Sequence, residues 1–343
     1  MSEPPEGTLF PTPAPGRTAV RAGWLAGALL LLALLAVTTR LGEGRRFAAL
    51  LQQARPLWLL AAVVLQAATY VCAAAVWERA LHRGGAPRRL LGLVPLGLAK
   101  LFADQALPSA GMSGTVLVAG ALRRRGVPRG LAVGAMLAGL VSFYVAYALA
   151  VAVALATLWW RGELHRLLVG LGAVFAALAA GVPLAIFWLR GRASRHLPAW
   201  IRRLPYAREA WSAMAEAPPG AIFGPILAVE TVALQLGIFA LDAATLEVML
   251  QALATPAAAD VVFASFVVAS LVATLAWVPG GLGTFEATCV AMLRLHGVTL
   301  EASVAATLLL RGFTFWLPMA PGLWIAHHEM VRPPAATQNE AQR

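Results

Sequence analysis

The sequence predicts an all-α polytopic membrane protein with about seven or eight transmembrane helices and two broken, re-entrant helical hairpins related by an internal, inverted repeat. Three observations lead there. Hydrophobic residues make up 60% of the 343-residue chain and charged residues only 13%, where a soluble domain carries about 25% charged residues. Apolar runs of ~20 residues, the length that crosses a ~30 Å hydrocarbon core, recur along it. These runs are continuous rather than alternating, which excludes a β-barrel.

Taken in order, residues 1–20, "MSEPPEGTLFPTPAPGRTAV", form a Pro-rich tail expected to be disordered. The run from Trp24 to Val37 resembles a signal peptide but no small-x-small cleavage site follows, so it reads as an uncleaved first span. One transmembrane domain is expected over 21–330, with halves near 21–160 and 165–330, and a polar tail over 331–343. Clear spans fall at about 22–39, 57–77, 130–158, 167–189, 221–249, 259–278 and 302–326. The span at 130–158 carries small residues at every fourth position, Gly130, Gly134, Ala138, Ser142, Ala146, Ala150 and Ala154, a stripe that lets helix backbones approach. Residues 196–217 mix Trp200 and Trp211 with Arg202, Arg203 and Arg208, and read either as an interfacial helix kinked at Pro205 or as an irregular polar loop.

Net charge is +11; Lys100 is the only lysine among the 27 basic residues, and the arginines sit in short loops. That pattern fits positive-inside bias and anionic headgroups, and no soluble basic domain exists to bind nucleic acid. Cys72 and Cys289 lie far apart in apolar runs and indicate neither a disulfide nor a metal framework.

Two segments, 91–122 and 279–296, are apolar yet interrupted by proline and glycine. Such backbone is tolerated at membrane depth only where protein or water satisfies it. Aligned at Pro108 and Pro279, "PSAGMSGTVLVAGALRRRGV" and "PGGLGTFEATCVAMLRLHGV" share P-x4-[ST]-x8-L-R-x2-G-V without a gap. In each, proline ends a helix, a turn follows (Gly111 and Gly114, or Gly280, Gly281 and Gly283), and Ser113 or Thr284 is placed to cap the next helix. That helix should stop at Gly126 or Gly297. Paired broken segments in corresponding halves point to a transporter's binding site.

The residues "VPGGLGTFEA" and "LLLRGFTFWLPMAPG" resemble the transmembrane region of lysylphosphatidylglycerol synthases, a domain that also occurs alone as a flippase-like membrane protein family. The matching residues are Pro279, Gly280, Gly281, Leu282, Gly283 and Glu286, then Arg311, Pro318 and Gly322, and in the first half Pro108, Gly111, Gly114 and Arg123 to Gly126. The first half departs at Thr115, where family members often carry an acid. No soluble acyltransferase-like domain follows in this chain, so the resemblance implies lipid handling or translocation rather than aminoacylation.

The charged residues in apolar runs are the remaining candidates, because ionised groups at membrane depth are costly. Glu286 either acts in gating or headgroup contact or forms a structural pair with Arg311, which in turn either pairs with an acid or holds a lipid phosphate. Lys100 and Asp104, four apart, form either a neutralised pair or a site of substrate or proton coupling. Glu230, read as mid-span, is a further candidate, whereas Asp242 and Glu247 read as solvated near the far interface. His327, His328 and Glu329 lack a further ligand for a metal, and no P-loop or nucleophile–base motif is present. The expected function is therefore a non-enzymatic translocator that binds or moves an anionic phospholipid or lipid-linked intermediate in a bacterial cytoplasmic membrane, without a cofactor. The alternative is an accessory scaffold for a lipid or glycolipid synthase.

Overall fold

The computed structural model describes residues 55–106, 112–193, 224–276 and 278–331. The tail, the first span at 22–39, the turn from Pro108 to Gly111, the segment 196–217 and the tail beyond 331 lie outside them. The helices are α1 (Pro56–Arg83), α2 (Leu90–Ala106), α3 (Met112–Arg124), α4 (Arg129–Trp160), α5 (Arg166–Ala193), α6 (Pro225–Ala252), α7 (Ala259–Leu275), α8 (Thr284–Leu295), α9 (Leu300–Arg311) and α10 (Leu317–Val331). A 3-10 turn at Pro279–Gly281 precedes α8, and a π turn at Gly312–Trp316 joins α9 to α10.

Among the described residues there is no strand, and five helical stretches are long and apolar enough to cross a membrane. The protein is an integral, multi-pass, all-α membrane protein. Pro56 and Pro225 each open a 28-residue helix at its first position, where the missing N–H costs nothing.

The elements before and after α5 are similar in length and order. Helices of 28, 17 and 13 residues and then α4, of 32, match helices of 28, 17 and 12 residues and then the stretch 300–331. Matching residues differ by 169 in α1/α6 and α2/α7, and by 171 after the break. Between α1 and α6 the eight identities include Pro56/Pro225, Gln66/Gln235, Glu78/Glu247 and Leu81/Leu250. These two helices pack along their length and run antiparallel. Arg55 N lies 3.5 Å from Ala252 O at one end, Gln66 meets Asp242 between, and Arg83 meets Glu230 at the other end.

Helices α2 and α3 pack together as a hairpin, and so do α7 and α8. Each hairpin lies against the long helix from the other side of α5, α2 on α10 and α7 on α4. The return helices end alike: Val127 N bonds Leu122 O at 3.1 Å after Gly126 at φ 77°, and Val298 N bonds Leu293 O at 3.1 Å after Gly297 at φ 88°. The glycine stops expected from the sequence are therefore real, because this closure needs a left-handed residue.

All seven small residues of the α4 stripe are buried. Two apolar clusters form the core, one built mainly on α1 to α3 with the start of α4, the other mainly on α4 to α9.

Candidate functional site

The second break is built from backbone that only glycine adopts readily. Gly280, Gly281 and Gly283 have φ of 63°, 64° and 81°. A Cβ on Gly280 would lie 2.6 Å from Phe315 Cε2, and one on Gly281 2.8 Å from Ala273 Cβ. The chain thereby turns sharply out of α7 and starts α8 after Gly283. Thr284 is not the cap that the sequence suggested. It is the first helical residue, and its hydroxyl donates to Gly281 O at 3.0 Å. The amide at the turn is met instead by Glu286, whose Oε2 accepts from Gly283 N at 2.6 Å.

Glu286 is shared with a cation. Arg311 Nε donates to Glu286 Oε1 at 2.7 Å, and Arg311 Nη2 donates to Gly280 O at 2.5 Å. The guanidinium also lies 4.6 Å from the Phe315 ring centroid and 5.2 Å from that of Phe285. Side-chain exposure is only 12% for Arg311 and 19% for Glu286. Arg311 closes α9, and the π turn that follows presents Phe315 to the same break. Single π turns of this kind recur at functional sites.

The first break solves the same problem with other residues. Lys100 Nζ donates to Asp104 Oδ2 at 2.5 Å, one turn apart on α2. Asp104 Oδ1 accepts from Gly114 N, in the first turn of α3, at 2.8 Å. Ser113 Oγ donates across to Ala103 O at 2.7 Å. Gly114 is required by contact, since its Cβ would sit 2.6 Å from Asp104 Oδ1 and from Lys100 O. Both breaks thus place a carboxylate on a backbone amide at the start of the return helix and a cation on that carboxylate. In the second half the acid comes from the return helix itself, whereas Asp104 comes from the helix before the break. The residue matching Asp104 is Ala273 and the one matching Lys100 is Ala269. The absence of an acid at Thr115 is thereby offset from an unrelated position.

Glu230 is not mid-span. Its helix starts at Pro225, so it lies in the second turn, bonded to Arg83 Nη2 at 2.9 Å. Asp242 is not a solvated end either. It sits well inside α6, where its Oδ1 accepts from Gln66 Nε2 at 3.0 Å. Placing the helix start at Ala221 hid both facts; the Gly224-Pro225 step was the available signal.

Sequence reasoning also missed two contacts at the ends of the bundle. Arg125 pairs with the buried carboxylate of Glu329, and Arg124 reaches Glu329 O. At the opposite end His296 Nε2 lies 2.6 Å from Glu163 Oε2. Near that second pair, a cavity of about 730 Å³ is lined by Arg161, Glu163, Pro256, His296 and Thr299. It stands at loop level, away from both breaks.

Comparison with known proteins is consistent with this architecture. Residues 24–322 match the family model described as lysylphosphatidylglycerol synthase TM region. Comparison with curated proteins finds no match.

Proposed function

Because the chain belongs to the lysylphosphatidylglycerol synthase transmembrane-region family, we propose that it is a lipid translocator of the bacterial cytoplasmic membrane. In this reading it binds an anionic phospholipid or lipid-linked intermediate between two re-entrant hairpins and moves it without chemical change. The matched helix lengths and the antiparallel α1 and α6 support two halves of inverted topology. Helices of 17, 13 and 12 residues rise only about 26, 20 and 18 Å, too short to cross a ~30 Å core alone, which supports hairpins that enter and return.

The observation that carries the proposal is the state of Arg311. A guanidinium that holds one carboxylate oxygen and one carbonyl oxygen at the mouth of a helix break presents the donor geometry that suits a phosphate. A lipid phosphate would take the place of Glu286 on Arg311, while the amides at the start of α8 add their partial positive charge. Glu286 would then return to Arg311 when the lipid leaves, so that neither charge is stranded in the apolar interior. Lys100 and Asp104 would do the same at the first break.

Leaflet exchange of labelled lipids in liposomes tests this, with wild type beside Glu286→Gln and Arg311→Gln. Arg311→Gln should slow exchange of an anionic lipid at least about tenfold, the equivalent of one charge-assisted hydrogen bond. Normal exchange by both folded variants would move the site elsewhere. No exchange of any lipid class, together with co-purification of a synthase that loses product without this chain, would instead establish the scaffold role.

A further inference from the structure

The acids Asp104, Asp242 and Glu286 are not held alike. Asp104 and Glu286 each have a cation and a backbone amide. Asp242 has a neutral side-chain amide, Gln66 Nε2 at 3.0 Å, and among the described residues no cation pairs with it. The same Gln66 nitrogen also donates to Thr245 Oγ1 at 3.0 Å, and Thr245 donates onward to Leu241 O at 2.8 Å. Both amide hydrogens are therefore committed, and Gln66 and Thr245 are buried at 6% and 0% exposure.

The depth is unfavourable for a charge. Asp242 is the eighteenth of 28 residues in α6, so it stands about 5 Å from the helix midpoint and about 10 Å inside a centred ~30 Å hydrocarbon layer. An ionised carboxylate there costs at least about 2.5–3.5 kcal/mol, and the single donor on it recovers about 1.5–3 kcal/mol. Protonation removes the charge while leaving the Gln66 bond to the carboxyl oxygen intact. The position also lies on the contact of α1 with α6, between the contacts at either end of the pair. Its counterpart in α1 is Ala73, so the acid occurs once.

We propose that Asp242 is a proton-binding site within the membrane, holding a proton in this conformation and releasing it when the α1–α6 contact at Gln66 opens to water. Gln66 is its positioning residue. The other titratable group of α1 within electrostatic reach is Tyr70. Among the described residues, none of Tyr144 and Tyr147 of α4, Asp260 of α7, or Glu301 and Arg311 of α9 hydrogen-bonds it. The inference does not depend on lipid transport: a proton would bind here whatever the chain carries.

Dicyclohexylcarbodiimide tests it, because this apolar reagent needs the acid's own proton to activate its nitrogen before the carboxyl oxygen adds to its carbon. Wild-type protein in liposomes would be treated across a pH series and the modified carboxyl located by peptide mass spectrometry. Asp242 should be labelled at neutral pH, and the labelled fraction should fall about tenfold per pH unit above its midpoint. Gln66→Leu should keep the label to higher pH, because it removes a donor that favours the ionised form. Absence of label on Asp242 at every pH, with reaction at Asp104 or Glu286 in the same sample, would overturn the proposal. Protection by sodium at constant pH would also overturn it, by showing that the site takes a metal cation. Since wild type alone decides these outcomes, a poorly folding variant does not obscure them.

Discussion

Arg125 holds the carboxylate of Glu329 across 204 residues of sequence, tying the end of one hairpin to the end of the long helix from the other half. The matching tie at the opposite end is His296 with Glu163, at 2.6 Å. Arg125 and His296 occupy equivalent positions, each following the last residue of its return helix. The acids do not: Glu329 matches Leu158, and Glu163 comes five residues later. The helix end folds back, with Glu163 N bonded to Leu158 O at 2.9 Å, and so brings the later acid to the same level. Two different local solutions produce one long-range contact.

That contact sets a first prediction. Glu329 and Arg125 side chains are 6% and 17% exposed, whereas those of Arg161 and Asp260 are 35% and 49% exposed. Removing one partner of a buried pair costs about 3–5 kcal/mol, while an exposed pair is worth ~1 kcal/mol or less. Glu329→Gln should therefore lower the Tm in detergent far more than Arg161→Gln does. Equal shifts would mean that the Arg125–Glu329 pair is solvated.

The glycines of the second break should separate by mechanism. Gly283 has φ 81° and ψ −43° but open space around its Cβ position, so Gly283→Ala adds backbone strain alone, about 1–3 kcal/mol. Gly281→Ala adds a 2.8 Å clash with Ala273 to the strain of its own positive φ of 64°, and overpacking contributes about 1–3 kcal/mol more. Thermal denaturation of the two variants should rank Gly281→Ala clearly below Gly283→Ala.

Ala254 offers a stabilising change. It alone among the described non-glycine residues has positive φ, 56°, and its counterpart after α1 is Gly85 at φ 81°. Ala254→Gly relieves left-handed strain of about 1–2 kcal/mol and loses roughly 0.5–1 kcal/mol to the freer unfolded chain. The expected result is a Tm unchanged or slightly raised. A lowered Tm would show that the methyl group packs usefully.

The Glu286–Arg311 pair should be measurable as a unit. Each residue keeps a backbone partner when the other is altered: Glu286 retains Gly283 N and Arg311 retains Gly280 O. A double-mutant cycle of Glu286→Gln and Arg311→Gln, read by denaturation, should give a coupling of about 0.5–3 kcal/mol. Strict additivity would show that the two side chains do not meet in the membrane-embedded protein.

Much of this was legible without coordinates because it is local. Apolar run length placed α4, α5 and α6 to within four residues at each end, and the start but not the end of α1. The Leu-Arg-x-x-Gly-Val stretch marked both helix stops, since a left-handed closure needs glycine and does not depend on distant packing. Spacing of four put Lys100 on Asp104, and depth in an apolar run marked Arg311 as an interior cation.

What the sequence alone determined is thus the class, an all-α membrane protein, and the glycines that break its second half, Gly280, Gly281 and Gly283. Only the tertiary structure decided which polar groups meet: Asp104 and Gly114, Gln66 and Asp242, Arg125 and Glu329, His296 and Glu163. The physical reason is that helix periodicity and turn chemistry are set by neighbours a few residues apart. Ion pairs across helices are set by crossing points and register, which no local pattern encodes.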